Sequence, residues 1–171
     1  AVKYNVPRLA FVNKMDRVGS DFDNVVTMIR ENLNSNPVPI LYPIGSESDF
    51  KGVIDIINKK EIHYLDDKGE QVEEKEVSEE NNELWEKLYN TVVEAAAEAY
   101  DEYLEEYLET GTLTIDKIKK GIRKLTIENK IIPTLAGTAF KNKGVQPLLD
   151  AIGDYLPSPV DLKSIEGINP K

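Results

Sequence analysis

Pro7-Arg8-Leu9-Ala10-Phe11-Val12-Asn13-Lys14-Met15-Asp16 is the stretch on which the fold turns. An apolar run that breaks into a polar quartet is the pattern of a buried strand delivering a functional loop at its carboxyl end. Beyond Gly19-Ser20, the residues Phe22, Val25, Val26, Ile29 and Leu33 recur at three- and four-residue spacing. They predict an amphipathic helix from Ser20 or Asp21 to Leu33, stopped by Asn34-Ser35-Asn36-Pro37. The pattern returns near the other end. Ile131 to Ala136 reads as a second buried strand and Gly137-Thr138-Ala139-Phe140-Lys141-Asn142-Lys143-Gly144 as its loop. Val145 to Tyr155 reads as the following helix, and Pro157-Ser158-Pro159 as the start of a linker. Two strand–loop–helix units predict one edge of a parallel sheet with both loops at the same end, where open α/β sheets bind ligands.

Between these units lies a long insertion. Pro39 to Ile44, Val53 to Ile57 and Glu61 to Leu65 read as strands, Gln71 to Val77 adds a further one, and a small antiparallel sheet is their natural assembly. Ser78-Glu79-Glu80 opens a long helix that Gly111 closes, and Thr114 begins a second, with Ile115, Ile118, Ile122 and Leu125 on one face, ending near Asn129. The expected fold class is α/β: a partial parallel sheet carrying an inserted α+β lobe of antiparallel strands and two helices. The expected units are residues 1–36, the insertion 37–129, residues 130–157, and a linker 158–171.

Composition narrows the chemistry. The 171 residues carry a formal charge of −10, contain no cysteine, and have His63 as their one histidine. Disulfides, thiolate metal sites and cysteine nucleophiles are excluded, and a histidine-based triad has no basis. No metal ligand and no catalytic residue is nominated. No run approaches the length of a membrane span, so a cytoplasmic protein with no membrane partner is expected. The chain begins with Ala1 and its methionines are Met15 and Met28, which suggests a piece of something longer. The acidity belongs to one segment: Asp66 to Glu109 holds 17 acidic and three basic residues, a net −14, which leaves +4 for the remainder. At 100° per residue, Glu94, Glu98, Asp101 and Glu105 fall on one stripe of the predicted long helix, opposite Trp85, Val92, Ala96, Ala99 and Tyr103. A phosphate backbone would be repelled, so the fitting partner of this lobe is a basic protein surface rather than nucleic acid. Tyr100, Tyr103 and Tyr107 read as the core side of the helix, and His63 as an ordinary sheet residue.

Asn13-Lys14-Met15-Asp16 fits Asn-Lys-x-Asp, the pattern that holds guanine. A carboxylate at Asp16 can accept from guanine N1–H and the exocyclic amine, a donor pair that adenine does not offer. Asn13 can donate to N7 while its carbonyl ties the two loops together, and the Lys14 stem can lie on the base. In the second loop, small Ala139 lets a backbone N–H approach the guanine O6.

Asn13-Lys14-Met15-Asp16-Arg17, Asn36-Pro37-Val38-Pro39 and Gly52-Val53-Ile54-Asp55 are followed by Gly137-Thr138-Ala139-Phe140-Lys141-Asn142-Lys143-Gly144-Val145-Gln146 and Asp154-Tyr155-Leu156-Pro157-Ser158-Pro159. Together they resemble consecutive signatures of the bacterial-type elongation factor G family, the ribosomal translocases. The resemblance implies a P-loop-GTPase-like sheet. Asn13, Lys14 and Asp16 would belong to its fourth guanine-nucleotide motif, and Thr138, Ala139 and Phe140 to its fifth, with Thr138 standing where the family more often has serine. Residues 1–36 and 130–157 would be parts of the GTPase domain and 37–129 its insertion subdomain. The implied cofactor is GTP or GDP, held here by the base alone. Mg²⁺ is expected in the full-length parent, with no ligand in this chain. The implied partners are the rest of the GTPase domain and the ribosome, whose large-subunit stalk protein would meet Glu94, Glu98, Asp101 and Glu105. The sequence has no Gly-x-x-x-x-Gly-Lys-[Ser/Thr] phosphate loop, so it is expected not to hydrolyse GTP alone. Asp49-Phe50-Lys51-Gly52 and Asp66-Asp67-Lys68-Gly69 spell Asp-x-x-Gly by chance within the insertion. Two alternatives stand beside this reading: an interaction module without useful nucleotide binding, and a piece of a ribosomal-protection GTPase.

Overall fold

A computed structural model describes residue 4, residues 6–159 and residue 161. Most of the expected linker, residue 160 and residues 162–171, lies outside the described residues.

Strand β1 (Ala10–Val12) leads through the Asn13–Asp16 loop into helix α1 (Phe22–Asn32). The Asp21 carboxylate caps α1 by accepting from Asn24 N at 2.9 Å, which satisfies one of the helix's unpaired donors. Buried Phe22 then meets Tyr42 edge-on at 5.1 Å, fastening α1 to the sheet. Strands β2 (Pro37–Ile44), β3 (Gly52–Asp55), β4 (Lys60–Tyr64) and β5 (Val72–Glu76) follow, and then helices α2 (Glu79–Ala97), α3 (Asp101–Thr110) and α4 (Ile115–Ile127). Strand β6 (Ile132–Ala136) and helix α5 (Val145–Tyr155) complete the described elements.

The strands form one six-stranded sheet in the order β1-β6-β2-β3-β4-β5. Strands β1, β6 and β2 run parallel, with Ala10 opposite Thr134 and Pro37 opposite Ile132. From β2 outward the pairing is antiparallel. The architecture is therefore the expected mixed α/β fold, but the antiparallel strands do not make a sheet of their own. β2 belongs to both halves, paired with β6 on one side and β3 on the other. Its prolines make this possible in an unusual way. Proline donates no ladder hydrogen bond, and the β2–β6 register shifts between Pro39 and Leu41, where a bulge absorbs the missing donor. At the far edge, β5 is exposed along its length and reads Val-Glu-Glu-Lys-Glu, charges that discourage pairing with another chain.

The helical part corrects one expectation. The helix predicted from residue 78 to 111 is two helices, broken at Glu98–Tyr100. Tyr100 takes an extended conformation, φ −145° and ψ 141°. A cation from another helix holds the break: Lys124 of α4 donates to the Ala99 carbonyl, and its Nζ lies 4.1 Å from the Tyr100 ring centroid. Gly121 brings α4 against α2, where an added Cβ would lie 2.5 Å from the Ala96 carbonyl oxygen. Trp85 anchors α2 to the sheet by donating from Nε1 to Ile56 O at 2.9 Å. Arg123 ties α4 to α5, its Nη1 donating to the carbonyls of Asp154 and Leu156 at 2.9 Å each. The C-terminal carbonyls of α5 thus gain a cationic cap.

Candidate functional site

Because β1 and β6 are parallel neighbours, the loops that follow them emerge side by side. Met15 fixes the first loop. Its side chain is only 1% exposed, and a buried third residue leaves Asn13, Lys14 and Asp16 nearer the surface. The Met15 backbone is held on both sides: its N–H donates to Gly137 O at 3.2 Å, and its carbonyl accepts from Ser20 Oγ at 2.7 Å and Glu47 N at 2.8 Å. Glu47 also accepts from Gly19 N at 2.7 Å. Lys14 sits at φ 64°, a left-handed conformation fixed by these flanking bonds.

The second loop is closed at its neck. Thr138 and Lys143 exchange backbone hydrogen bonds, Thr138 N to Lys143 O at 2.8 Å and the reverse at 3.1 Å. Thr138 is buried at that neck, while Phe140 at the tip is 97% exposed.

The two loops are joined by side chains from both. Asn13 Oδ1 accepts from Ala139 N at 3.0 Å and from Lys14 N at 2.8 Å. This is the tie between loops expected of the Asn13 carbonyl. It also changes the role open to Ala139, whose N–H is given to Asn13 rather than left for a ligand oxygen. With Oδ1 accepting twice, the amide nitrogen of Asn13 is the group left to donate outward. Asp16 Oδ1 accepts from Thr138 Oγ1 at 3.1 Å, and Oδ2 lies 3.2 Å from Lys141 Nζ. Burial alone would raise the Asp16 carboxyl. The hydrogen bonds from Lys141 and Thr138, with the Lys141 charge, outweigh it and hold the group below its usual range, so Asp16 is an anion at neutral pH. Each carboxylate oxygen still has a lone pair for an external donor. The Thr138 hydroxyl is thus in contact with Asp16.

Sequence reasoning missed Lys141, Glu47 and Ser20. Lys141 lies in a quoted motif, but nothing in its spacing from Asp16 signals that they meet; Glu47 and Ser20 act through backbone bonds that have no sequence signature. Among the described residues no group of three or more His, Asp or Glu side chains could hold a metal ion. The Asp16 carboxylate does not fit Mg²⁺, because Oδ1 already accepts from Thr138 and Oδ2 already faces the Lys141 ammonium.

The acidic residues Glu94, Glu98, Asp101 and Glu105 are all exposed. They do not form the single-helix stripe expected of them. Glu94 lies in the last turn of α2, Glu98 lies in the break, and Asp101 and Glu105 belong to α3, which folds back so that Tyr107 donates to Glu94 Oε1 at 3.1 Å. Lys117 of α4 pairs with neighbouring Glu106, a cation that the helix reading did not supply.

Residues 1–158 match the family model described as the elongation factor Tu GTP binding domain. The chain belongs to this family. It is also similar to a crystal structure of a protein from Thermus thermophilus, with 28% identity and a TM-score of 0.81. The match covers 94% of this chain and 24% of that one, so the chain spans about a quarter of that protein's length. The family is described as a GTP-binding domain, and in this member the two loops that follow β1 and β6 are the candidate base-recognition site. No helix among the described residues is long and apolar enough to cross a membrane.

Proposed function

We propose that this chain is the guanine-specifying part of a translational GTPase of the elongation factor G type, a cytoplasmic ribosomal translocase, together with an inserted lobe spanning residues 37–129. One observation carries the reading: an anionic Asp16 oriented by Thr138 and Lys141, beside an Asn13 whose carbonyl is tied to Ala139. In this reading Asp16 accepts from guanine N1–H and the 2-amino group, the Asn13 amide donates to N7, and the Lys14 stem packs on the base. Phe140, exposed at the loop tip, shields one side of the nucleotide. The phosphates and Mg²⁺ are held by a phosphate loop that this sequence does not contain, so the 171-residue chain alone does not turn over GTP. The exposed acidic residues of α2 and α3 face the basic C-terminal domain of the large-subunit stalk protein.

The test is a change of base preference. In the intact GTPase carrying this segment, Asp16→Asn replaces an acceptor by a donor, which suits the 2-oxo group of xanthine. The GDP-to-XDP preference is expected to fall by roughly 10⁴-fold, as for other sites built around a buried polar complement. Unchanged guanine preference, measured as the ratio of the two dissociation constants, refutes the role given to Asp16.

A further inference from the structure

The 137–144 loop is also supported from the opposite side, by the β4–β5 hairpin. Gly144 N, a donor at the start of α5 that lacks an intrahelical partner, donates to the Tyr64 hydroxyl at 2.6 Å. Tyr64 is buried at the end of β4, and its ring lines a groove of about 880 Å³ between α5 and the sheet. At the hairpin tip, the Asp66 carboxylate accepts from the N–H groups of Lys68 and Glu70 at 3.0 Å and Gln71 at 2.9 Å, which fixes the turn. That turn lies directly on the loop backbone: a Cβ on Gly69 would be 2.5 Å from Lys141 O and 2.9 Å from Asn142 O. Lys141 then reaches back, its Nζ 3.2 Å from Asp16 Oδ2 and 3.8 Å from Asp67 Oδ1. The hairpin thus touches the loop at its neck, along its backbone and through one side chain.

We propose that the β4–β5 hairpin belongs to the base-recognition apparatus, with Tyr64 and Lys141 as positioning residues that set guanine discrimination through Asp16. The inference rests on the reading of Asp16 as the carboxylate that takes the guanine edge. Tyr64 holds Gly144; Gly144 adjoins Lys143; Lys143 is paired with Thr138; and Thr138 donates to Asp16 Oδ1. A carboxylate that accepts two parallel donors tolerates little displacement, because hydrogen bonds weaken steeply with misalignment. Loosening the neck of the loop therefore reduces recognition of the guanine 2-amino group more than binding of the nucleotide as a whole.

Inosine lacks that amino group, so the ratio of IDP to GDP dissociation constants in the intact GTPase reads the positioning of Asp16 directly. Both nucleotides meet the same folded fraction, so a variant that merely loses stability leaves the ratio unmoved. Tyr64→Phe keeps the ring and removes only the acceptor for Gly144; the ratio is expected to fall about fivefold, the size of one hydrogen bond's net effect. Lys141→Met is expected to lower it by a similar factor. Glu73→Gln, on the solvent-facing β5 of the same hairpin, leaves it unchanged. An unaltered ratio in Tyr64→Phe overturns the proposal, whatever Lys141→Met does. Asp16→Asn separates this failure from that of the underlying reading. If Asp16→Asn removes the GDP preference while Tyr64→Phe retains it, the hairpin proposal falls alone; if Asp16→Asn also retains it, the assignment of Asp16 falls first.

Discussion

Glu61 is a carboxylate only 2% exposed, on a strand whose Ile62 and Tyr64 are also buried. Its Oε1 accepts from Ser78 N at 2.9 Å, Ser78 Oγ at 2.6 Å and Asn81 Nδ2 at 2.8 Å, while Oε2 lies 2.7 Å from His63 Nε2. Burial pushes the carboxyl up, but the bonds from Asn81, Ser78 and His63 outweigh it and bring the group down to about 2. Glu61 thereby fastens β4 to the first turn of α2, whose N-cap Ser78 directs its hydroxyl to this carboxylate. A carboxyl lowered in the folded state contributes stability that is complete above its unfolded value near 4.5 and is lost as pH falls toward 2. The contribution is about 3 kcal/mol. Urea unfolding from pH 6 to pH 3 is expected to show a steeper loss of stability in the native chain than in Glu61→Gln, which is also about 2 kcal/mol less stable at pH 7. Equal slopes would show that the acid sensitivity resides elsewhere. His63, read from sequence as an ordinary sheet residue, is one of the partners holding this carboxylate. His63 does lie on a strand, and the pleat sets it on the same face as Glu61; what the sequence does not show is that Glu61 is a buried anion in need of donors. Asn13 and Asp16, by contrast, are singled out by their own residue types and tight spacing, and Thr138 by the resemblance of its loop; the structure brings the three together.

At the scale of elements, the parallel unit was read correctly because each of its strands ends in a polar loop and each helix shows a clean apolar spacing. What was not legible depended on contacts between distant segments. Ala95-Ala96-Ala97-Glu98-Ala99-Tyr100 contains no helix breaker, and local propensity favours continuing the helix. The break is tertiary, held by the Lys124 ammonium at the Ala99 carbonyl. The sharing of β2 between parallel and antiparallel halves was hidden for a related reason: a strand with prolines at positions 37, 39 and 43 reads as an edge, and a register shift lets it pair on both sides. The α2–α4 contact that supports the break depends on Gly121. Gly121→Ala favours the isolated helix by about 1 kcal/mol. In the folded chain it places a methyl against the Ala96 backbone at 2.5 Å, and overpacking of this kind costs about 1–3 kcal/mol. The packing term wins, so the denaturant midpoint of Gly121→Ala is expected to fall; a rise would mean that the two helices separate freely.

For the whole molecule, the acidic segment meets the 137–144 loop through its first turn, which holds Asp67 and Gly69. Most of its charge lies on β5, α2 and α3, whereas the nucleotide loops follow β1 and β6, and the +4 remainder of the sequence includes them. In the proposed reading, one chain thus offers loops for an anionic nucleotide after β1 and β6 and an acidic surface for a cationic protein on α2 and α3. Partial neutralisation within the lobe also ranks its acidic surfaces. On β5, Glu74 and Glu73 have Lys60 and Lys75 beside them at 3.1 and 3.7 Å, and on α3 Glu106 is paired with Lys117. No ion pair is found for Glu94, Glu98, Asp101 or Glu105 among the described residues, although the Lys124 ammonium lies at the break beside them. Charges of this kind act mainly on encounter rate, and they are screened over about 10 Å at 0.1 M salt. The combined variant Glu94→Gln, Glu98→Gln, Asp101→Asn and Glu105→Gln is therefore expected to slow association with the stalk C-terminal domain by about 10-fold or more at low salt. Stopped-flow measurement should also show a flatter salt dependence than in the native chain, with dissociation little changed. Neutralising Glu73, Glu74 and Glu76 on β5 serves as the comparison. If the β5 variant slows association more than the α2–α3 variant, the docking surface is the sheet edge and the assignment to the helical break is wrong.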